Sequence, residues 1–256
     1  MEYNMISIEE KRALIEHLAD SPTALICNAY SFMGSHAPCA DWTIRCMTPD
    51  LPPMVGEAIT VKLDCSTPDG EHVDDDEGSA HRASSLYYEM VEQMQITNIP
   101  KVVVIESIGN KSTSAVLGDG MAKLFRAAGA SGCVTDGGIR DINDVRKTGL
   151  TTFGGGSVAN HYRLRWSNLG EPVTMGGLKI ETGSIVHGDR DGVIVVPQDG
   201  WASVVRACRV VMDFEKAAHG LLRSTALTVP EKQSKIGALA DVCANRMRNG
   251  TADDFC

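Results

Sequence analysis

Two short segments place charged side chains beside glycines, where they could bind a small ligand. The first is Leu117-Gly118-Asp119-Gly120, which precedes a helical stretch, and the second is Gly137-Gly138-Ile139-Arg140-Asp141, which follows an apolar stretch. Backbone N–H groups at the start of a helix can bind a carboxylate or a phosphate. The forked guanidinium of Arg140 suits a carboxylate, and the hard oxygens of Asp141 suit Mg²⁺ or Mn²⁺. These residue types predict a site for a divalent cation and a small acid.

Each segment also has a purely structural interpretation. Asp119 could cap the helix that follows it, and Asp141 could cap the next helix with Arg140 in a surface ion pair. Gly118-Asp119-Gly120 lacks the third glycine of a dinucleotide-binding loop, and Asp119 would repel a pyrophosphate unless a metal intervened. Both interpretations stay open on the local sequence alone.

An acidic stretch and a later strand carry other possible metal ligands. Five of them lie close together in the chain, namely His72, Asp74, Asp75, Asp76 and His81. Their spacing fits no known metal-binding loop, and a solvated surface loop explains them better. His187, Asp189 and Asp191 alternate on one face of a predicted strand, but a hairpin turn rich in Asp and Gly explains them better.

Two further patterns are ambiguous. Gly154-Gly155-Gly156-Ser157 could cradle a phosphate, although a turn or a close backbone contact explains it better. His161 could contact a substrate or could have an ordinary structural role. No Ser-His-Asp or Cys-His group can be placed from spacing, because such partners converge only in the fold.

The elements that must position these residues predict an α/β protein. Ser7 and Glu10 have the spacing of a capping box, so a helix starts there. Periodicity predicts further helices over residues 23–33, 83–95, 118–128, 141–147, 201–222 and 232–248, and strands over residues 55–63, 102–105, 132–136, 179–180, 184–187 and 193–196. Because strands and helices alternate, ligands are expected at the carboxyl ends of the strands. We expect one domain over residues 1–222 and a helical extension over residues 223–256.

Composition limits the classes of function. A chain of 256 residues can bury a substantial core, and its net charge of −9 argues against a nucleic-acid ligand. Eight scattered cysteines without a Cys-x-x-Cys pair indicate reduced, mostly buried thiols. No apolar stretch has the length of a membrane span, and the first residues lack the pattern of a signal peptide. We expect a cytoplasmic protein with no membrane partner.

The spacing of the charged residues resembles a known family. Asp119, followed after twenty residues by Arg140-Asp141, is similar to the Asp/Arg-Asp signature of the RraA-like proteins, which include the class II 4-hydroxy-4-methyl-2-oxoglutarate aldolases. Residues 55–61 resemble an early strand of that family, and residues 188–197 resemble a late one. The likeness covers about residues 10 to 220, with three motifs in the expected order.

The resemblance implies a fold, an assembly and a chemistry. The fold is a swivelling α/β/β/α sandwich that forms a homotrimer or a homohexamer of stacked trimers, with sites between neighbouring subunits. The chemistry is cleavage of a pyruvyl-type keto acid, either by retro-aldol cleavage of 4-hydroxy-2-oxo acids or by decarboxylation of oxaloacetate. Both reactions leave an enolate that a divalent metal and Arg140 would stabilise.

The resemblance also implies a role for each residue. Asp141 would bind Mg²⁺ or Mn²⁺, and Arg140 would hold the keto oxygen or a carboxylate of the substrate. Asp119 would position a water bound to the metal, as the base for the aldol reaction. Glu215 resembles the acidic residue that the adjacent subunit contributes. Backbone amides of Val116, Leu117 and Gly118 would hold the pyruvyl carboxylate.

Other functions remain open at this stage. Some RraA-like proteins are named for inhibiting an RNA-degrading endonuclease, so the chain could be a regulator that binds a protein partner. It could also be an isomerase or a hydrolase of hydroxy acids on the same scaffold. The chain departs from the family at Asn28-Ala29, where Asp-Ala is common, and at Thr182-Gly183-Ser184, where Pro-Gly-Asp is common. Neither departure involves Asp141, the predicted metal ligand, but the identity of the substrate is not defined.

Overall fold

The first helix begins at the predicted capping box. In the computed structural model, which describes residues 7–68 and 77–249, the Glu10 amide donates to Ser7 Oγ over 3.1 Å. The Ser7 amide donates to the Glu10 carboxylate over 2.8 Å, so the box is reciprocal. It satisfies two N–H groups that a helix start otherwise leaves unpaired.

Helices and strands alternate along most of the described chain. The helices are α1 (Ile8–Leu18), α2 (Thr23–Phe32), α3 (Glu77–Gln95), α4 (Asp119–Ala127), α5 (Ile142–Lys147), α6 (Trp201–Arg223) and α7 (Val229–Asn249). The strands are β1 (Arg45–Cys46), β2 (Met54–Cys65), β3 (Lys101–Gly109), β4 (Ala115–Leu117), β5 (Ala130–Thr135), β6 (Gly138–Ile139), β7 (Thr151–Gly154), β8 (Gly156–Ser157), β9 (Arg165–Ser167), β10 (Val173–Met175), β11 (Leu178–Ile180), β12 (Ile185–Asp189) and β13 (Gly192–Val196). The mixed α/β class and the C-terminal helices are therefore confirmed.

A large mixed sheet forms the centre of the fold. Its strand order is β1-β7-β5-β3-β2-β12-β13, with β9 paired to β2. The pairs joining β2, β3, β5 and β7 are parallel, and the outer pairs are antiparallel. Both faces of the parallel part are buried. Val103 and Ile105 pack on one side, and Val102 and Val104 pack on the other, which explains the unbroken apolar run of β3.

A small parallel sheet forms where the chain leaves the large one. After each of β3, β5 and β7, the chain adds a short strand to this second sheet, in the order β4-β6-β8. None of these strands exceeds three residues, so hydrophobic periodicity did not predict them. The small sheet determines what lies next to the two glycine-containing segments.

The chain divides into two compact units. One contains Met1–Asp20 and Pro38–Val196, and the other contains Ser21–Ala37 and Pro197–Cys256. In the second unit α2 packs on α6, with the rings of Phe32 and Phe214 5.5 Å apart, and α6 packs on α7. The domain boundary at residue 222 that the sequence suggests stays a prediction. Within the described residues, no helix combines the length and the apolarity that crossing a membrane requires.

A buried ion pair network links α1 to the amino-terminal ends of β2 and β3. The Glu57 carboxylate accepts from Lys11 Nζ at 2.5 Å and from Lys101 Nζ through its second oxygen. Only 5% of the Lys101 side chain is exposed. Burial acts to raise the pKa of Glu57, but the hydrogen bonds from Lys101 and Lys11 outweigh it and hold that pKa below its ordinary value. Glu57 is therefore ionised and provides the counter-charge that the buried Lys101 ammonium requires.

We expect Glu57→Gln to destabilise the fold by about 3–5 kcal/mol at neutral pH, because it leaves the buried Lys101 ammonium without a counter-charge. The measurement is urea unfolding at pH 7 and at pH 3. Since the folded-state pKa of Glu57 is lowered, its stabilisation is full above the ordinary glutamate pKa and is lost as the pH falls through the lowered value. The difference between wild type and variant should therefore shrink at pH 3.

Glu181→Gln is the matched control for this prediction. Glu181 also forms an ion pair, with Lys179 at 2.7 Å, but both side chains are more than half exposed. Exposed pairs contribute about 1 kcal/mol or less. Equal losses for the two variants would contradict the role assigned to burial at Lys101.

Candidate active site

The two glycine-containing segments are brought together by the pairing of β4 with β6. Leu117 at the end of β4 is the register partner of Ile139 at the end of β6, and the strands are parallel. The Arg140 amide donates to the Leu117 carbonyl over 2.9 Å. Residues that follow neighbouring parallel strands emerge at the same edge, so Asp119 lies beside Arg140 and Asp141 despite twenty intervening residues.

Gly118 allows this close approach because it has no side chain. A Cβ placed there would lie 3.1 Å from Asp141 Oδ2 and 3.2 Å from Arg140 Nε. Its φ of −139° is an extended conformation open to any residue, so space alone favours glycine at this position. The backbone of the first segment is therefore in contact with the charged side chains of the second.

A cleft of about 240 Å³ opens at this junction. It is lined by the predicted site residues Val116, Leu117, Gly118, Asp119, Arg140 and Asp141, together with Ala115, Gly120, Met121, His161 and Leu164. The side chains of Arg140 and Asp141 are 38% and 41% exposed, so a small ligand can reach them. The structure thus brings together the predicted site residues that belong to the first compact unit.

The start of α4 supplies backbone donors to the cleft. Gly118 is the N-cap of this helix and makes no side-chain cap hydrogen bond. The first N–H groups of a helix have no partner within the helix, and its dipole favours negative charge at that end. The binding of a carboxylate by backbone amides of Val116, Leu117 and Gly118, which line this end of the cleft, stays a prediction.

Asp119 is the first residue of α4 rather than its cap. Its Oδ2 lies 2.5 Å from Lys123 Nζ, one turn further along the helix. The hydrogen bond from Lys123 holds the pKa of Asp119 below its ordinary value, with smaller contributions from the Gly120 amide and Arg140. Asp119 is thus kept as a carboxylate at the edge of the cleft. Lys123 was missed from the sequence, although its i,i+4 spacing from Asp119 was visible.

Asp141 has an unusual backbone conformation. Its φ of 55° and ψ of 36° place it in the left-handed region, which non-glycine residues occupy rarely. It occupies the N-cap position of α5 but makes no side-chain cap hydrogen bond, so the helix-cap interpretation is wrong for its carboxylate. Its Oδ2 lies 3.5 Å from Arg140 Nε, which is longer than a close hydrogen-bonded pair. The carboxylate therefore retains the capacity to bind a cation.

The single carboxylate of Asp141 suits Mg²⁺ or Mn²⁺ better than a metal that requires a full set of protein ligands. Mg²⁺ usually binds one or two protein carboxylates and keeps several waters, and Asp141 offers one such carboxylate. Across residues 7–68 and 77–249, no group of three or more His, Cys, Asp or Glu side chains is arranged to hold a metal ion. Substrate oxygens and water would complete the coordination at Asp141.

Several other candidates have structural roles. Asp136, next to the second segment, accepts from the Ser107 amide at 2.7 Å and pairs with Lys111, so it does not line the cleft. The Asp189 carboxylate accepts from the Asp191 amide at 2.9 Å, which confirms the hairpin turn. A Cβ on Gly155 would lie 2.9 Å from the Asp136 carbonyl oxygen, which supports a close backbone contact there.

Two predictions are not tested by this site. The cluster from His72 to His81 lies outside the part of the chain whose side chains are described. Glu215 lies on α6 in the second compact unit, where its Oε1 accepts from Asn28 Nδ2 at 2.9 Å. Its contribution to a neighbouring subunit stays a prediction.

We expect Gly118→Ala to lower the activity of the cleft with little effect on stability. The added methyl group would displace the Arg140 and Asp141 side chains by a few tenths of an ångström, and because a displacement of about 1 Å can cost about 10²-fold in rate, we expect a loss of roughly 3- to 10-fold. Turnover and thermal unfolding of the purified protein test this.

Gly220→Ala is the control for this substitution. Nothing lies within 4 Å of a Cβ at Gly220, which lies within α6 and is not among the residues that line the cleft. Alanine is favoured over glycine in a helix by about 0.5–1 kcal/mol. This variant should therefore keep its activity, and a similar loss in both variants would contradict the steric argument at Gly118.

Comparison with known proteins gives a family and several relatives. A family model described as RraA-like: Aldolase/RraA matches residues 23–195. A protein of Halalkalibacterium halodurans named "Putative 4-hydroxy-4-methyl-2-oxoglutarate aldolase" is 31% identical over 129 residues, covering 50% of this chain and 61% of that protein. A protein of the same name from Hahella chejuensis is 34% identical over 99 residues, covering 38% and 60%. The chain thus spans about three fifths of the length of these relatives.

Solved structures share the fold. An uncharacterized protein from Pseudomonas syringae pv. tomato has a TM-score of 0.67 at 24% identity, over 92% of this chain and 97% of that one. Streptomyces coelicolor RraAS2, described as an unusual member of the RNase ES inhibitor RraA protein family, has a TM-score of 0.62 at 23% identity, over 81% and 96%. At these identities the likeness concerns the fold alone.

Proposed function

The chain belongs to the RraA-like family of aldolase and RraA proteins, and we propose that it is a divalent-metal-dependent lyase that cleaves a carbon–carbon bond of a pyruvyl-type keto acid. Its reaction would be retro-aldol cleavage of a 4-hydroxy-2-oxo acid, decarboxylation of oxaloacetate, or both. The observation that carries the proposal is the 240 Å³ cleft, in which Arg140, Asp141 and the start of α4 meet. The names of the aldolase relatives support the same class of reaction.

The residues of the cleft divide the binding of a pyruvyl unit among them. Amides at the start of α4 would hold the carboxylate, and the Arg140 guanidinium would face the 2-keto oxygen. Arg140 would then stabilise the negative charge that this oxygen gains when the carbon–carbon bond breaks. A divalent cation held by Asp141 would supply electron withdrawal from the keto group.

Asp119 would serve the aldol reaction in particular. Retro-aldol cleavage requires a base to take the proton of the leaving alcohol, whereas decarboxylation releases CO₂ and needs no such base. The Lys123 ammonium keeps Asp119 ionised, so Asp119 can position a water that accepts this proton. Aldol cleavage would therefore require the water positioned by Asp119, whereas decarboxylation would not.

We expect Asp119→Asn to slow aldol cleavage by about 10²-fold, the lower range for loss of general base catalysis. Oxaloacetate decarboxylation by the same preparation should change much less, because it lacks the alcohol proton. Pyruvate release from each substrate measures both rates, and decarboxylation serves as the internal control. Equal losses in the two reactions would contradict a base role and would instead indicate that Asp119 supports the general shape of the cleft.

The proposed function is tested by offering the purified protein oxaloacetate and 4-hydroxy-2-oxo acids with Mg²⁺ or Mn²⁺ and measuring pyruvate. We expect release that depends on the cation and is lost on chelation. Absence of pyruvate from every substrate, in a preparation whose fold is verified by circular dichroism, would overturn the proposal.

A further inference from the structure

His161 lies in the cleft but has no part in the function proposed above. It lines the same 240 Å³ space as Asp119, Arg140 and Asp141, and it is half-buried. Its ring Nδ1 lies 3.1 Å from the Tyr162 carbonyl oxygen. A carbonyl can only accept, so Nδ1 carries a proton when this hydrogen bond forms.

The chain on both sides of His161 is attached to β4 and to the residue before it. The Asn160 carbonyl accepts from the Ala115 amide at 2.8 Å. The Tyr162 amide donates to the buried Ser114 hydroxyl over 2.9 Å. Because β4 leads directly into the turn that starts α4, these two hydrogen bonds fix His161 relative to the proposed carboxylate site.

One proton transfer in the proposed reaction has no residue assigned to carry it out. Cleavage places the electron pair of the broken carbon–carbon bond on the pyruvyl fragment as an enolate, and a proton must then add to C3 to give pyruvate. Arg140 cannot act here because a guanidinium does not deprotonate in proteins. Asp141 is assigned to the cation, and Asp119 to the alcohol proton. Among the described residues that line the cleft, His161 is the remaining one whose side chain can act as a general acid or base.

We propose that His161 is a catalytic residue that delivers this proton to C3 of the pyruvyl unit, an inference that rests on the proposed lyase function. In the forward direction the protonated ring of His161 gives a proton to C3, the C3–H bond forms, and the enolate electrons complete that bond as the 2-keto group returns. The neutral imidazole then takes a proton from solvent. In aldol cleavage the alcohol proton leaves on the Asp119 side, so the protons gained and lost are equal.

The test measures the exchange of the methyl protons of pyruvate in D₂O by proton NMR, with the full chain and Mg²⁺ or Mn²⁺. This exchange uses the C3 transfer in both directions and requires no carbon–carbon cleavage. We expect His161→Gln, which keeps a polar side chain but cannot carry a proton, to lower the exchange rate at saturating pyruvate by about 10²-fold or more.

Two further variants separate proton transfer from structure. His161→Ala should regain exchange when free imidazole is added, in proportion to its concentration. His17→Gln is the matched control, because the Nδ1 of His17 also lies close to a backbone carbonyl, that of Ala13 at 2.7 Å, but His17 is exposed on α1. It should exchange pyruvate protons at the wild-type rate.

The outcomes distinguish this inference from the proposed function. A wild type that neither cleaves nor exchanges any substrate overturns the lyase proposal itself. A wild type that cleaves and exchanges, with His161→Gln unchanged in exchange, leaves the lyase standing and overturns the role of His161. If His161→Gln increases only the KM for pyruvate and exchange is normal at saturating pyruvate, the catalytic role of His161 is also overturned. In that case His161 would bind the substrate without transferring the proton.

Discussion

Asp141→Asn should lower pyruvate release from all substrates by about 10³-fold or more, because the several kcal/mol that a bound cation contributes to charge stabilisation would be lost. Asparagine keeps the size of the side chain and also tolerates the left-handed conformation that residue 141 adopts, with φ at 55°. The backbone and the α5 start should therefore persist. Titration of the variant with Mn²⁺, followed by calorimetry or electron paramagnetic resonance, should show weaker binding than wild type.

The left-handed conformation provides a set of variants in which stability and activity separate. Asp141→Gly accepts the conformation and removes the carboxylate, whereas Asp141→Ala removes the carboxylate and adds strain of about 1–2 kcal/mol. All three variants should lose activity, and Asp141→Ala alone should lose stability. Strained residues cluster at functional sites, so this conformation agrees with the proposed role of Asp141 as a metal ligand.

Asp144→Asn is the control for charge. Asp144 lies one turn along α5, pairs with Lys147 at 2.7 Å and is more than half exposed, outside the cleft. It should retain wild-type turnover and wild-type affinity for Mn²⁺. If Asp141→Asn bound Mn²⁺ as tightly as wild type and released pyruvate within a few-fold of its rate, Asp141 would not be the metal ligand.

The two segments of the candidate site could be found from the sequence by their residue types, but only their spacing, which resembles that of a known family, joined them into one site. Arg140-Asp141 and Gly118-Asp119 were identified by charge and glycine content, and each follows a strand as expected. What could not be predicted is that the relevant strands belong to the small sheet. β4 has three residues and β6 has two, so neither shows a period, and β5 was expected to lead directly into the Arg140 segment.

The backbone conformation of individual residues also could not be predicted from the sequence. An aspartate before a helix is typical of a side-chain cap in the extended region, and Asp141 has that position without that geometry. Asp119 was interpreted as a possible cap, but the glycine before it takes the position. In both cases tertiary contacts decide, since the pairing of Leu117 with Ile139 brings the two segments within reach of each other.

The large sheet was easier to predict for the opposite reason. Val102 to Ile105 form an unbroken apolar run because both faces of β3 are covered, and such runs are typical of parallel strands. The longer strands and all the helices follow from periodicity and caps, as the Ser7 and Glu10 pair shows. Catalytic geometry depends instead on short irregular segments, in which a single hydrogen bond can change the position of a side chain.

Arg140→Met should reduce pyruvate release by about 10²–10³-fold, which is the cost of removing one donor to a developing oxyanion. Arg140 is expected to face the keto oxygen, whose charge grows as the carbon–carbon bond breaks, so the guanidinium acts more on the transition state than on the bound substrate. We therefore expect kcat and kcat/KM to fall together. Arg140→Lys should recover little, since a lysine ammonium lacks the planar fork of donors.

Binding measurements separate this role from simple substrate attraction. Oxalate reproduces the planar, doubly charged arrangement of oxygens in the enolate of pyruvate, so Arg140→Met should weaken oxalate more than pyruvate. Arg146→Met is the control, because Arg146 is also an exposed arginine, lies in the last turn of α5, pairs with Asp50 at 3.4 Å and does not line the cleft. Equal losses of oxalate and pyruvate affinity in Arg140→Met, with kcat unchanged, would show that Arg140 holds the substrate carboxylate and that the enolate is stabilised by other groups.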